Sequence, residues 1–264
     1  MRALIKIGGT LLDTQESRDR LAREIAEALA GGLRAVIVHG GGKQMTRFLA
    51  ERGVESRFVN GLRVTTPAVL DAVLKVLAGS VNQELVAAFV ASGVRPVGLS
   101  GMDALLTEAR QMSEEMGMVG IPVRSDASLL NLLLDGGYLP VVGCVAGDRE
   151  GHFYNVNADQ MAASLALAMQ ANKLIFLTDV DGVRDQTNII RPTINVEECQ
   201  ALIRLEVATG GMRAKLESAA SALEGGVSEV VIAPGARAGI IGKLIRGQQA
   251  GTRLVSEVGV ENHG

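Results

Sequence analysis

The chain has 264 residues, enough to bury a substantial core as one large domain or two lobes, with 47% apolar and 21% charged residues and a net charge of −3. That charge offers nothing to nucleic acid or an anionic membrane, and five Phe, two Tyr and no Trp leave little for stacking on bases. Cys144 and Cys199 have no Cys or His partner at ligand spacing, so they read as reduced structural thiols and no metal site is expected.

In chain order, Met1 leads at once into a strand at residues 3–7, too short and too soon broken by glycine for a signal peptide. An amphipathic helix follows from Ser17 to Ala30, with Leu21, Ile25 and Leu29 on one face. Ala35-Val36-Ile37-Val38 is continuous and apolar, as a parallel strand covered on both faces should be. Helix resumes from Met45 to Glu51. Thr66-Pro67 supplies an N-cap and a first-turn proline for a helix running toward Val90. Residues 94–99 are strand, 102–123 are irregular and read as hairpins over one end of a sheet, 127–134 are helix and 139–145 strand. A polar turn at Asp148–Gly151 precedes a helix from Ala158 to Gln170. Leu174–Leu177 repeats the buried-strand pattern; helices at 196–204 and 212–224, a strand at 227–233, a short helix and a terminal strand complete the chain.

This alternation implies a mainly parallel sheet with helices on both faces. No internal repeat or linker is visible, so a division into lobes falls inside the sheet near Gln170–Lys173, giving residues 1–171 and 172–264. No apolar stretch reads as approaching the ~18–20 residues needed to span a bilayer, and a soluble cytoplasmic protein is expected.

Glycine is over-represented, at 32 residues against a usual ~7% of a chain, and its clusters follow strands. Ligands gather at the carboxyl ends of strands in open α/β sheets. One strand ends Lys6-Ile7-Gly8-Gly9-Thr10; another ends His39-Gly40-Gly41-Gly42-Lys43 and passes into a helix whose N–H groups can face an anion. A third ends Thr178-Asp179-Val180-Asp181-Gly182. Walker A and Rossmann patterns fail, because Gln44 and Met45 stand where those motifs need Ser or Thr and glycine. Each loop alone is equally well a tight turn. Lys6 is either a functional cation on a core strand or a lysine reaching to water from the strand's end. In Asn155, Asn157 and Asp159 at least one residue serves as a helix N-cap. Lys215 falls in the first turn of a helix read as starting at Met212, where a cation opposes the helix dipole unless an anion is near.

Taken in order, Lys6-Ile7-Gly8-Gly9, Val38-His39-Gly40-Gly41-Gly42, Asn60-Gly61-Leu62-Arg63-Val64-Thr65, Gly98-Leu99-Ser100-Gly101, Gly137 to Val141, Asn155 to Asp159, Leu177 to Gly182 and Gly211-Met212 with Lys215 resemble the amino-acid kinase family over nearly the whole chain. The segments from Asn60 and Asn155 are similar to the branch whose acceptor is N-acetyl-L-glutamate. The resemblance implies a three-layer αβα sandwich with a mainly parallel open sheet. Residues 1–171 would bind the acylated amino acid and dimerise, and residues 172–264 would bind ATP. It implies that Arg63 pairs with the substrate α-carboxylate, that Asn155 hydrogen-bonds the substrate, and that the N–H groups of Gly41 and Gly42 hold the attacking carboxylate. The nucleotide would lie against Gly8, Gly9, Asp179, Val180, Asp181, Gly182, Val183, Arg184, Val207, Ala208, Thr209 and Met212. Lys6 and Lys215 would flank the transferring phosphoryl group, with Asp159 holding both. ATP is expected to bring Mg²⁺ on its phosphate oxygens. The chemistry agrees: a carboxylate is ionised at neutral pH, so the task is to bring anions together and neutralise charge, not to remove a proton.

Met102 to Leu105 replace a basic residue and a glycine pair common in relatives, and Pro234-Gly235-Ala236 replaces an Asp-Gly-Arg pattern. Another member of the family, acting on a carrier-bound aminoadipate or glutamate, and a non-catalytic sensor on the same fold are the competing readings. Arginine-inhibited relatives carry an extra N-terminal helix; with the first strand at Ala3, the expectation is a homodimer paired through the N-terminal lobe and insensitive to arginine.

Overall fold

The computed structural model describes residues 1–256. β1 (Arg2–Ile7) leads through a short 3-10 turn into α1 (Gln15–Ala30), β2 (Arg34–His39) and α2 (Gly42–Ala50). The hairpin β3 (Phe58–Val59) and β4 (Leu62–Arg63) precedes a long helix made of α3 (Pro67–Val73), a π-helical stretch Leu74–Val81 and α4 (Asn82–Ala91). Then come β5 (Pro96–Ser100), β6 (Thr107–Gln111), β7 (Val119–Ser125), α5 (Ser128–Asp135), β8 (Leu139–Gly143), β9 (Val145–Gly147), β10 (Phe153–Val156) and α6 (Ala158–Ala168). The last part holds β11 (Lys173–Thr178), β12 (Thr193–Asn195), α7 (Val196–Arg204), α8 (Gly210–Glu224), β13 (Glu229–Pro234), α9 (Ile240–Ile245) and β14 (Thr252–Val255).

Eight strands form one sheet in the order β12-β14-β13-β11-β1-β2-β8-β5, and only the β13–β14 pair is antiparallel. Its central strands are largely apolar runs, broken in β1 by Lys6, and are buried on both faces as parallel sheets require. α1 packs on α4 and α9, while α6 packs on α8 and α8 on α7, so two helical groups cover the sheet. Because β1 pairs with β2 on one side and β11 on the other, the residues before and after position 171 share one continuous sheet. Across it, Glu24 of α1 accepts from the N–H groups of Gly239 and Ile241, and Arg20 donates to the Gly235 carbonyl.

Three sequence expectations need correcting. The hairpins expected over 102–123 are part of a closed four-stranded barrel of β10, β7, β6 and β9. The strand expected over 139–145 breaks at Cys144, so that β8 stays in the main sheet while β9 enters the barrel. The stretch Pro67–Ala91 is long and apolar enough by length and composition to cross a membrane, contrary to the first reading. In this fold it is a core helix: Val69, Val73, Val76, Leu77, Val81, Leu85 and Phe89 are all buried.

Candidate active site

Three charged side chains converge where β1, α6 and α8 meet. Lys6 comes from the end of β1, Asp159 from the first turn of α6 and Lys215 from α8. Nζ of Lys6 lies 2.9 Å from Oδ1 of Asp159, and Nζ of Lys215 donates to Oδ2 at 2.9 Å. All three are at least 92% buried, and so large a desolvation is tolerated only because each charge is paired. Burial alone raises the Asp159 pKa, but the two ammonium groups outweigh it and hold the carboxyl below its usual range. Burial lowers the Lys215 pKa, with the charge of Lys6 adding to the effect against the pull of Asp159 and Asp179. Lys6 therefore does not reach to water.

Local structure explains the placement of the carboxylate. The N-cap of α6 is Asn157, whose side chain accepts from the N–H groups of Asp159 and Gln160. Asp159 is thereby freed from capping and turned toward the lysines. α8 begins at Gly210, two residues earlier than expected, so Lys215 sits in its second turn. The helix-dipole argument for a nearby anion does not apply there, and the Asp159 pair takes its place.

Beside this cluster lies a cavity of about 200 Å³ lined by Gly40, Gly41, Gly42, Arg63, Cys144 and Asn155, among others. The Arg63 guanidinium is buried, lies over the Phe58 ring at 4.6 Å, and has its pKa lowered by burial. It donates to the Gly42 carbonyl at 3.2 Å, to Oγ1 of Thr46 at 2.7 Å and to Ser56. Among the described residues no carboxylate lies within ion-pair distance of it. Asn155 donates to Oγ1 of Thr65 at 3.0 Å, and Thr65 in turn donates to the Arg63 carbonyl at 2.9 Å. Thr46 and Ser56 do not stand out in the sequence, where isolated hydroxyls carry no pattern; Thr65 closes the Asn60–Thr65 segment quoted above, with no role expected for it.

The hairpin holding Arg63 turns through Asn60 and Gly61, with φ of 48° and 80°. That is the two-residue Asn-Gly turn that closes a tight hairpin. A Cβ at Gly61 would lie 3.9 Å from the carbonyl carbon of Gly210, so the hairpin touches the start of α8. Thr209 caps α8 with no side-chain hydrogen bond, leaving the Gly210 and Gly211 N–H groups without a protein acceptor among the described residues.

Strands β1 and β11 are parallel neighbours, which sets Gly8 against Leu177 and Thr178. The Gly8 N–H donates to the Leu177 carbonyl at 2.9 Å and is not free for a ligand. A Cβ at Gly9 would lie 3.0 Å from the Gly42 nitrogen, so the two glycine loops face each other. Asp179 and Val180 are exposed in the following loop, and Asp181 pairs with Arg237 at 2.5 Å, one position beyond the Ala236 noted above. Val183 is wholly buried with its N–H donated to Thr252, and Arg184 is exposed and donates to the Asn188 carbonyl. Ala208 is buried, while Val207 and Met212 are half-buried around the exposed Thr209. The structure therefore gathers Lys6, Asp159 and Lys215 into one cluster and Gly41, Gly42, Arg63 and Asn155 around one cavity; Gly8 and Gly9 follow β1, residues 179–184 follow β11, and Val207 to Met212 lead into the first turn of α8.

His39 is wholly buried behind the second glycine loop, and burial pushes its pKa down to about 4. Away from the cleft, Asp148, Glu150 and His152 bring one ligand atom each within 4.8 Å of one another, an arrangement the sequence reading did not expect. Asp148 there already accepts from the His152 ring and the Tyr154 hydroxyl.

Residues 1–234 match the family model described as amino acid kinase family. The acetylglutamate kinase of Solibacter usitatus is 56% identical over 256 residues, covering 97% of this chain and 100% of the relative. The acetylglutamate kinase of Bartonella henselae is 38% identical over 267 residues, covering 96% and 89%. Among solved structures, N-acetylglutamate synthase from Neisseria gonorrhoeae, complexed with coenzyme A and N-acetyl-glutamate, superposes with a TM-score of 0.86 at 30% identity. That match covers 97% of this chain and 60% of the synthase chain. Giardia carbamate kinase, at 16% identity and a TM-score of 0.70 over 97% of this chain and 99% of its own, shares the fold.

Proposed function

The chain belongs to the amino acid kinase family, and on that premise we propose that it transfers the γ-phosphoryl group of ATP to the side-chain carboxylate of N-acetyl-L-glutamate, a step of arginine biosynthesis. The carboxylate oxygen forms a bond to phosphorus as the bond from phosphorus to the leaving oxygen of ADP breaks, and an acyl phosphate results. No proton has to be removed, which agrees with a site holding two lysines and, among the described residues, no free general base.

The observation that carries this reading is the buried Lys6–Asp159–Lys215 cluster beside a cavity whose one guanidinium has no carboxylate partner among the described residues. In the proposed complex Arg63 takes the α-carboxylate, Asn155 a further polar group, and the Gly41 and Gly42 N–H groups the attacking carboxylate. Lys6 and Lys215 meet the charge on the transferring group from opposite sides. ATP lies toward Gly9, the loop Asp179–Arg184 and the segment Val207–Met212, with the open N-terminus of α8 offering N–H groups to phosphate. The donor set at the cluster is cationic, and both oxygens of Asp159 are engaged by lysines. Mg²⁺ would thus fit as an ion carried mainly by the phosphate oxygens of ATP, where it would help to neutralise their charge.

The test is an ATP-dependent acyl-phosphate assay with hydroxylamine trapping. Hydroxamate with N-acetyl-L-glutamate and none with a carrier-bound aminoadipate supports the reading; the reverse overturns the substrate, and none with either overturns the activity. We also propose that residues 1–171 pair two copies, supported by the open edge of β5 and by Val90, 59% exposed on the long apolar helix. Light scattering on the purified protein decides between monomer and dimer.

A further inference from the structure

The glycine loop that would hold the attacking carboxylate has no side chains of its own to fix it. Gly40, Gly41 and Gly42 follow one another, and a peptide between two glycines rotates with little steric resistance. What holds this one is His39. The ring donates from Nδ1 to the Gly40 carbonyl at 2.9 Å, while Nε2 accepts from Nδ2 of Asn82 at 3.0 Å. These roles are forced. A carbonyl only accepts, so Nδ1 must carry the proton, and a neutral ring must then accept at Nε2. Asn82 is 1% exposed at the start of α4, and its amide also donates to the Val141 carbonyl at 2.9 Å. The ring is thus anchored from β8 and from the helix.

The Gly40 carbonyl and the Gly41 N–H belong to one planar trans peptide and point in opposite directions. Holding the carbonyl against the buried ring therefore turns the Gly41 N–H away from it, and the first glycine loop packs against the same peptide, since a Cβ on Gly9 would lie 3.5 Å from the Gly41 nitrogen. Among the described residues neither the Gly41 nor the Gly42 N–H has a protein acceptor. A flip of this peptide would present a carbonyl oxygen to the carboxylate instead of a donor. We propose that His39, held as its Nδ1–H tautomer by Asn82, is a positioning residue that keeps the Gly40–Gly41 peptide in the donor-inward orientation. This rests on the reading of Gly41 as a donor to the acceptor carboxylate.

Two substitutions separate this role from simple core packing. H39N places an amide where Nδ1 stands and can still donate to the Gly40 carbonyl. H39Q reaches the Nε2 position and Asn82 but leaves that carbonyl without its donor. H39Q should lose about 10²-fold in turnover, the scale for one misplaced oxyanion-type donor, with the KM for ATP unchanged. H39N should keep at least about ten times the turnover of H39Q. Equal turnover in the two variants, after correction for folded fraction by melting curves, overturns the proposal. Should neither variant fold, the ring nitrogen shifts of His39 in the native protein decide: the Nδ1–H tautomer supports the lock and the Nε2–H tautomer overturns it. That readout needs no activity, so a chain inactive on N-acetyl-L-glutamate sinks the proposed function without deciding the lock.

Discussion

Replacing Asp159 with asparagine should move activity and stability in opposite directions along the pH axis. The substitution keeps shape and removes the one negative charge between two ammonium groups, each of which lies 2.9 Å from a different carboxylate oxygen. Those nitrogens are on the order of 5 Å apart, where two unit charges repel by about 3 kcal/mol at an effective dielectric near 20. The Lys215 pKa, already lowered by burial and by Lys6, then loses its main support from Asp159 and falls further. The variant should therefore lose one positive charge at the phosphoryl group at a lower pH than the native protein does, with turnover down about 10²–10³-fold where that ammonium is neutral. Acid restores the ammonium, so the variant's rate relative to native should recover as pH falls. Stability runs the other way. A lysine whose folded pKa lies below its unfolded value of about 10.4 binds fewer protons folded than unfolded between those values. The penalty of holding it charged is full below the folded pKa and is relieved as pH rises through the window. Initial rates from coupled ADP release, paired with urea melts from about pH 6 to about pH 9, measure both slopes. A variant whose rate and stability both track the native profile would refute the argument that Asp159 sets the charge state of Lys215.

Lys6→Ala and Lys215→Ala should each lower turnover about 10²–10³-fold while changing either KM much less, read from full kinetics on both substrates. Near-native turnover in either would remove that lysine from the transfer step. Arg63→Lys should raise the KM for N-acetyl-L-glutamate about 10–100-fold and spare ATP, because an ammonium cannot reproduce the bidentate fork; equal damage to both constants would mean that Arg63 organises the hairpin instead. Ala104 and Leu105 hold φ of 50° and 52°, a region that costs a side-chain-bearing residue about 1–2 kcal/mol. Ala104→Gly should relieve that strain, less the roughly 0.5–1 kcal/mol of added unfolded-state entropy, and raise the melting temperature by about 2 °C. No rise would show that the loop is not strained at this residue.

The strands of the main sheet were legible because burial on both faces leaves a run with no alternation, as in β1, β2 and β11. The Asn60-Gly61 turn was equally written in the sequence, yet its two-residue strands are too short to show a pattern before Arg63 is known to be buried. β10 escaped notice because Asn155 points a polar group into the cavity from the middle of a strand. The start of α8 was misplaced because Gly210-Gly211 reads as loop, although an uncapped glycine N-terminus is what leaves N–H groups open. Lys6, Asp159 and Lys215 could each be suspected singly from strand position and helix start. Their meeting at one carboxylate joins residues 153 and 56 positions apart, and no local rule gives that. His39 and Asn82 are a sharper case, since each alone is an ordinary buried polar residue and the meaning lies in the proton between them.

β1 sits between β2 and β11, and Ala3 pairs with Ala35 on one side and Lys173 on the other. On a ribosome adding about 5–20 residues per second, the first edge finds its partner early and the second waits about 10–30 s. During that interval the strand that carries Lys6 has one row of backbone donors and acceptors unpaired, and the side chains between Arg2 and Lys6 are all apolar. An apolar open edge is the feature that recruits strands from other chains. The arrangement that places Lys6 at the centre of the finished sheet thus makes its strand the point of greatest exposure in the unfinished one, and slow elongation between β8 and β11 should raise the yield of aggregate rather than of enzyme.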